Sequence, residues 1–134
     1  MEKQFLNPPT IATPRGYTHA VTATSGKMVF IAGQVAFNIN GELVGKGDLR
    51  AQTQQVYENL KNALAAAGAT TADVVKLNSY VVDFKPADLA VIREVRGQYF
   101  PNPERMPAST LVGVQALAFE GLLIEVEAVA MIKE

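Results

Sequence analysis

Pro107-Ala108-Ser109-Thr110-Leu111-Val112-Gly113-Val114, followed by Leu122-Leu123-Ile124-Glu125-Val126-Glu127-Ala128-Val129-Ala130, decides how this chain folds. Both stretches have the aliphatic and β-branched composition of strands. The second alternates: Ile124, Val126, Ala128, Ala130 and Ile132 share one face, and Leu123, Glu125, Glu127, Val129 and Met131 share the other. One face belongs to a core. The other mixes apolar side chains with two carboxylates and has to be accounted for separately.

Working back from that pair, Pro86 opens a helix traced by Leu89, Ile92, Val95 and Tyr99 and stopped by Pro101-Asn102-Pro103. Val74 to Val82 reads as a strand with Val75, Leu77 and Val81 on one face. Asp48 can cap a helix of about 19 residues in which Leu49, Val56, Leu60, Ala63, Leu64 and Ala67 recur at helical spacing, with Gly68 as its stop. Asn38-Ile39-Asn40-Gly41 is a turn. His19 to Ser25 and Met28 to Ala32 read as two strands of a hairpin across Ser25-Gly26-Lys27, and residues 1–16, with Pro8, Pro9 and Pro14, as an irregular arm. The expected order is ββαβαββ, an α+β domain spanning 1–134 with a mixed sheet and both helices on one face. An apolar sheet face left uncovered predicts a partner, and a second copy of the chain is the economical one.

The 134 residues are 49% hydrophobic and 19% charged, and 12 Lys+Arg against 13 Asp+Glu leave a net charge of −1. No basic excess exists to bind a phosphate backbone, so nucleic acid is a poor partner. No cysteine is present, which excludes thiolate metal sites and cysteine nucleophiles. His19 is the only histidine, so a multi-histidine metal site is impossible. Phosphate-loop and dinucleotide glycine motifs and a nucleophile elbow are missing. No run approaches the ~20 apolar residues that span a bilayer. The expectation is a soluble, cytoplasmic protein that uses neither cofactor nor metal.

What remains for chemistry is a short set. Glu125 and Glu127 stand about 6.5–7 Å apart on one strand face, a spacing that suits two carboxylates around one water or one basic group. Ser109 and Thr110 offer hydroxyls at a strand entrance. Tyr17 and His19 flank the junction of arm and strand. Arg93, Arg96 and Arg105 supply planar forks that match carboxylates. Gly33 ends a strand and marks a bulge or bend.

These residues occur in an order that resembles the RidA/YjgF family. Gly16-Tyr17-Thr18-His19-Ala20, Phe30-Ile31-Ala32-Gly33-Gln34-Val35, Gln52 to Gly68, Asp73-Val74-Val75-Lys76, Val81-Val82-Asp83, Pro107-Ala108-Ser109 and Ile124-Glu125-Val126-Glu127-Ala128 carry the likeness over nearly the whole chain. The resemblance implies a chorismate-mutase-like α+β subunit in a homotrimer with small-molecule clefts between subunits. It further implies hydrolysis of reactive enamines and imines, such as 2-aminoacrylate released by pyridoxal-phosphate enzymes, to 2-keto acids and ammonia. By the same resemblance Glu125 takes the role of the catalytic glutamate, Tyr17 that of the tyrosine and Gly33 that of the strand-end glycine. Ser109 stands where the family signature has the arginine that holds the substrate carboxylate, and Leu111 where a cysteine is frequent. Loss of that arginine costs a charge-assisted bond of ~1.5–3 kcal/mol, roughly 10- to 150-fold in binding. An altered substrate follows, unless Arg93 or Arg105 replaces it. A cleft that binds a small carbonyl compound without turnover is the alternative. Endoribonuclease activity, ascribed to some relatives, finds little support in a chain with one histidine and no basic-aromatic run.

Overall fold

The computed structural model describes residues 1–134. Its elements are β1 (Lys3–Leu6), β2 (Ala20–Ala23), β3 (Lys27–Gln34), α1 (Leu49–Ala66), β4 (Val74–Val82), α2 (Pro86–Tyr99), β5 (Ala108–Val114) and β6 (Ile124–Ile132). Four strands form a mixed sheet in the order β3-β6-β4-β5. β6 lies antiparallel to both neighbours, whereas β4 and β5 run parallel, as their connection through α2 requires.

α1 begins where Asp48 accepts a hydrogen bond from the Ala51 amide at 3.1 Å. It ends in paired bonds from Gly68 N–H to Ala65 C=O and from Ala69 N–H to Leu64 C=O, which satisfy two otherwise orphaned carbonyls. Val56, Tyr57, Leu60 and Leu64 of α1 and Ile92 and Val95 of α2 pack on Val29, Ile31, Leu77, Val81, Ile124, Val126, Ala128 and Ala130. Each large aliphatic side chain so buried contributes about 1.5–3 kcal/mol. Both helices therefore cover one face of the sheet, and the α+β architecture expected from the pattern holds. No helix is long and apolar enough to cross a membrane.

Three local expectations are corrected. The arm contains a strand: β1 pairs antiparallel with β2, Lys3 opposite Ala23 and Leu6 opposite Ala20. β2 consequently does not form a hairpin ladder with β3, whose partner is β6. Alternation locates a strand without naming its neighbour, and here Lys3 reaches Asp73 at 3.6 Å while Phe5 lies under the Arg105 guanidinium, 4.6 Å from ring centroid to Cζ. In β4, a bulge between Val74 and Lys76 shifts the alternation, so Val74 joins Leu77 and Val81 in the core and Val75 does not.

The sheet face opposite the helices is uncovered in the isolated chain. Phe30 is 72% exposed and Met28 54% at the β3 edge, and Val112 is exposed on the same face at the opposite, β5 edge. Val129 and Met131 extend the same surface, since they pair with Phe30 and Met28.

Candidate functional site

Polar groups cluster on the uncovered face. Glu125 and Glu127 project from β6, and β4 places Tyr80 opposite Glu125 and Asn78 opposite Glu127. The Tyr80 hydroxyl donates to Glu127 Oε1, and Asn78 Nδ2 approaches the same oxygen at 3.5 Å. The bond to Glu127 is the main reason the Tyr80 hydroxyl is held above its ordinary pKa. On β5, Thr110 accepts from Lys76 Nζ at 2.9 Å. Lys76, Asn78 and Tyr80 were not among the residues singled out from sequence. The signal was available, because they alternate with Leu77 and Val81, but it identifies a face and not a site.

Gly33 lies at the second irregularity of the sheet, where β3 carries one extra residue between Ile31 and Gln34 against β6. The carboxyl group of Glu125 occupies the space a Cβ on Gly33 would fill. Glycine is therefore what lets this carboxylate lie flat against the strand end. Beside it opens a cleft of about 520 Å³ lined by Gly33 and the amide side chains of Gln34, Asn38, Gln55, Asn59 and Asn62. Asn59 spends its amide on Val35 and Phe37 carbonyls at 2.9 and 2.8 Å, fixing the loop that forms the cleft wall.

The other singled-out residues lie elsewhere. Tyr17 meets His19 edge to face at 5.3 Å, and His19 is tied to the arm through Ala12 O at 2.7 Å. Thr18 bridges to Ala108, with its N–H donating to Pro107 O at 3.1 Å, so Tyr17 sits next to the start of β5. Ser109 pairs with Leu77 and Thr110 with Asn78. The two hydroxyls thus point to opposite sides of the sheet and do not form one cradle. Arg105 stacks on Phe5 and lines a small cavity with Tyr99 and Asn102. Arg93 donates to Arg15 O at 3.2 Å beside the buried Arg96.

Gly33 is on β3 and Ser109 on β5, at the two edges of a four-stranded sheet. Three strand spacings separate them, about 14 Å. One small ligand does not bridge that gap within one chain. Residues 9–132 match the family described as Endoribonuclease L-PSP. The chain is 43% identical to a RutC family protein of Pyrococcus horikoshii over 115 residues, 85% of either chain. It is 31% identical over 132 residues to a 2-iminobutanoate/2-iminopropanoate deaminase of Dermatophagoides farinae, covering 98% of each. A crystal structure of a protein of unknown function of the conserved Rid family from Yersinia pestis superposes with a TM-score of 0.91 at 50% identity, covering 98% of this chain and 100% of that one.

Proposed function

This chain belongs to the Endoribonuclease L-PSP family, the RidA/YjgF proteins its motifs resemble, and on that premise we propose that it is an enamine/imine deaminase with an altered substrate, acting in clefts between the subunits of a homotrimer. The observation that carries the reading is Glu125, whose carboxyl group rests on Gly33 at an open sheet face next to an amide-lined cleft. The similarity to a 2-iminobutanoate/2-iminopropanoate deaminase supports the same chemistry.

In the proposed reaction Glu125 accepts a proton from water as the water oxygen bonds to the imine carbon. The C=N π electrons pass to nitrogen, which takes that proton and becomes the amine of a carbinolamine. The carbinol hydroxyl then gives its proton through Glu125 to the amine as the C–N bond breaks, so that ammonia leaves and the oxygen is left as the carbonyl of the product. General acid–base assistance of this kind is worth about 10²–10⁴-fold. Tyr17 approaches from the β5 edge and is the second catalytic group. Gly33 and Thr110, on the open face, border the substrate, and Ser109, turned to the other side of β5, does so only through its backbone. The 14 Å separation of the β3 and β5 edges favours a site completed by a neighbouring copy, and the exposed Phe30 and Met28 offer the surface for it. The whole chain, 1–134, acts as one domain in this reading, without cofactor or metal, in a cytoplasm where such imines are released.

A binding module on the same trimer is the second reading, favoured by the serine at position 109 where the family signature has a charged side chain. Ammonia release separates the two. Coupling an amino-acid dehydratase or oxidase to the protein and following imine loss across several amino acids is the test. Acceleration with at least one imine is expected, and no acceleration with any would leave the binding reading standing. The endoribonuclease in the family's description would need salt-dependent RNA binding, which a net charge of −1 does not favour.

A further inference from the structure

Arg96 is 5% exposed, yet its guanidinium takes part in no hydrogen bond and no ion pair with the rest of the chain. None of its nitrogens is sealed from the surface, so the N–H donors of this largely buried, permanently charged fork open onto a cavity, where such a group is seldom left without an acceptor. Its surroundings do not compensate. The Tyr57 hydroxyl lies within Coulombic reach, but it and the adjacent Ser79 hydroxyl are buried without a well-formed hydrogen bond of their own. A second guanidinium, that of Arg93, stands on the same side of α2 and adds repulsion.

The two forks converge on one point. A Cβ on Gly16 would fall 2.8 Å from Arg96 Nη2 and 3.8 Å from Arg93 Nε. Gly16 has φ +75, so both its conformation and its missing side chain keep this space open. A cavity of about 290 Å³ opens there, bounded by Gly16, Arg93, Arg96, Gly97, Phe100 and Met106 among others, with no carboxylate in its wall. Burial lowers the Arg96 pKa, and Arg93 pushes the same way against Tyr57. Everything the cavity lacks is an anion with two or three acceptor oxygens.

We infer that the cavity between α2 and the Gly16 turn is a binding site for a small carboxylate, with Arg96 as its principal ligand and Arg93 as the second. Gly16 directly precedes Tyr17, and Thr18 bridges to Ala108 one residue before Ser109. The positive charge missing from the start of β5 is thereby supplied from α2, close to the same strand. The identity of the carboxylate as an imino or oxo acid rests on the function proposed above; the site itself does not.

Calorimetric titration of the full-length protein at low ionic strength tests this, using pyruvate, inorganic phosphate and uncharged acetone as probes. Pyruvate is expected to bind and acetone not to. Arg96→Lys keeps a charge without the fork and is expected to weaken pyruvate roughly 10- to 150-fold. Arg93→Gln, on an exposed position, keeps the test open should the Arg96 variant fail to fold, and a weakening of several-fold is expected. Phosphate binding as tightly as pyruvate would overturn the carboxylate assignment. Absence of anion binding together with dissociation of the oligomer in Arg96→Lys would overturn the site, because Arg96 would then be paired with a partner subunit. Pyruvate binding that needs Arg96 in a protein that hydrolyses no imine would refute the deaminase and leave this site intact. Imine hydrolysis unchanged in both variants, with no pyruvate bound, would do the reverse.

Discussion

Gly33 and Glu125 act as a unit because one side chain lies in the space the other residue leaves empty. Gly33→Ala is therefore expected to displace the carboxyl group and lower imine hydrolysis at least 10-fold while the fold survives, since the strand end is half-exposed. Circular dichroism beside the imine assay checks it, and undiminished activity would remove Glu125 from its assigned position. The stacked phenols of buried Tyr57 and half-buried Tyr99 make a second prediction at this scale. Burial pushes Tyr57 up to about 12, with the Arg96 charge opposing, and burial followed by the bond to Glu58 at 2.9 Å does the same for Tyr99. A raised folded-state pKa contributes stability that is complete below pH 10 and lost as pH rises through 12. The urea midpoint is expected to fall across that window, and ultraviolet titration should show these phenols ionising late in the native protein. Ionisation of all four tyrosines together near pH 10 would contradict the packing described. Glu125 was legible from sequence because a carboxylate inside an alternating apolar strand is conspicuous. Arg96 was not, because helical spacing alone places it on a solvated face as readily as in a cavity.

Among the elements, α1 was legible in full from Asp48 to Gly68, since cap, periodicity and stop agree along 18 residues. The four-residue β1 was not, because so short a run carries too little alternation to stand out between prolines. The pairing of β2 with β1 and the bulge at Val75 depend on tertiary neighbours and have no local signature. One polar residue shows how α1 serves the site. Gln52, fully buried, donates to Gly45 O at 3.1 Å and Gly121 O at 2.9 Å and accepts from Leu123 N–H at 2.8 Å, pinning the entry to β6 two residues before Glu125. Gln52→Ala strands those three groups and is expected to cost about 2–4 kcal/mol in urea unfolding. A loss under 1 kcal/mol would mean that water replaces the amide without penalty.

At the scale of the molecule, the sheet has helices on one face and Phe30, Met28, Val112, Glu125 and Glu127 on the other. The proposed trimer covers that second face and brings the β3 edge of one subunit to the β5 edge of the next. Phe30→Glu is expected to shift the mass in light scattering from trimer to monomer and to abolish hydrolysis together with assembly. An unchanged mass would place the interface elsewhere. Complementation in mixed trimers tests the shared cleft most directly. Glu125→Gln and Tyr17→Phe are each expected to reduce imine hydrolysis about 100-fold or more as homotrimers. Unfolded together and refolded as mixed trimers, they regain a substantial fraction of wild-type hydrolysis if the two residues come from neighbouring subunits, because some clefts then inherit both intact groups. Mixtures no more active than the two inactive parents would contradict the inter-subunit site.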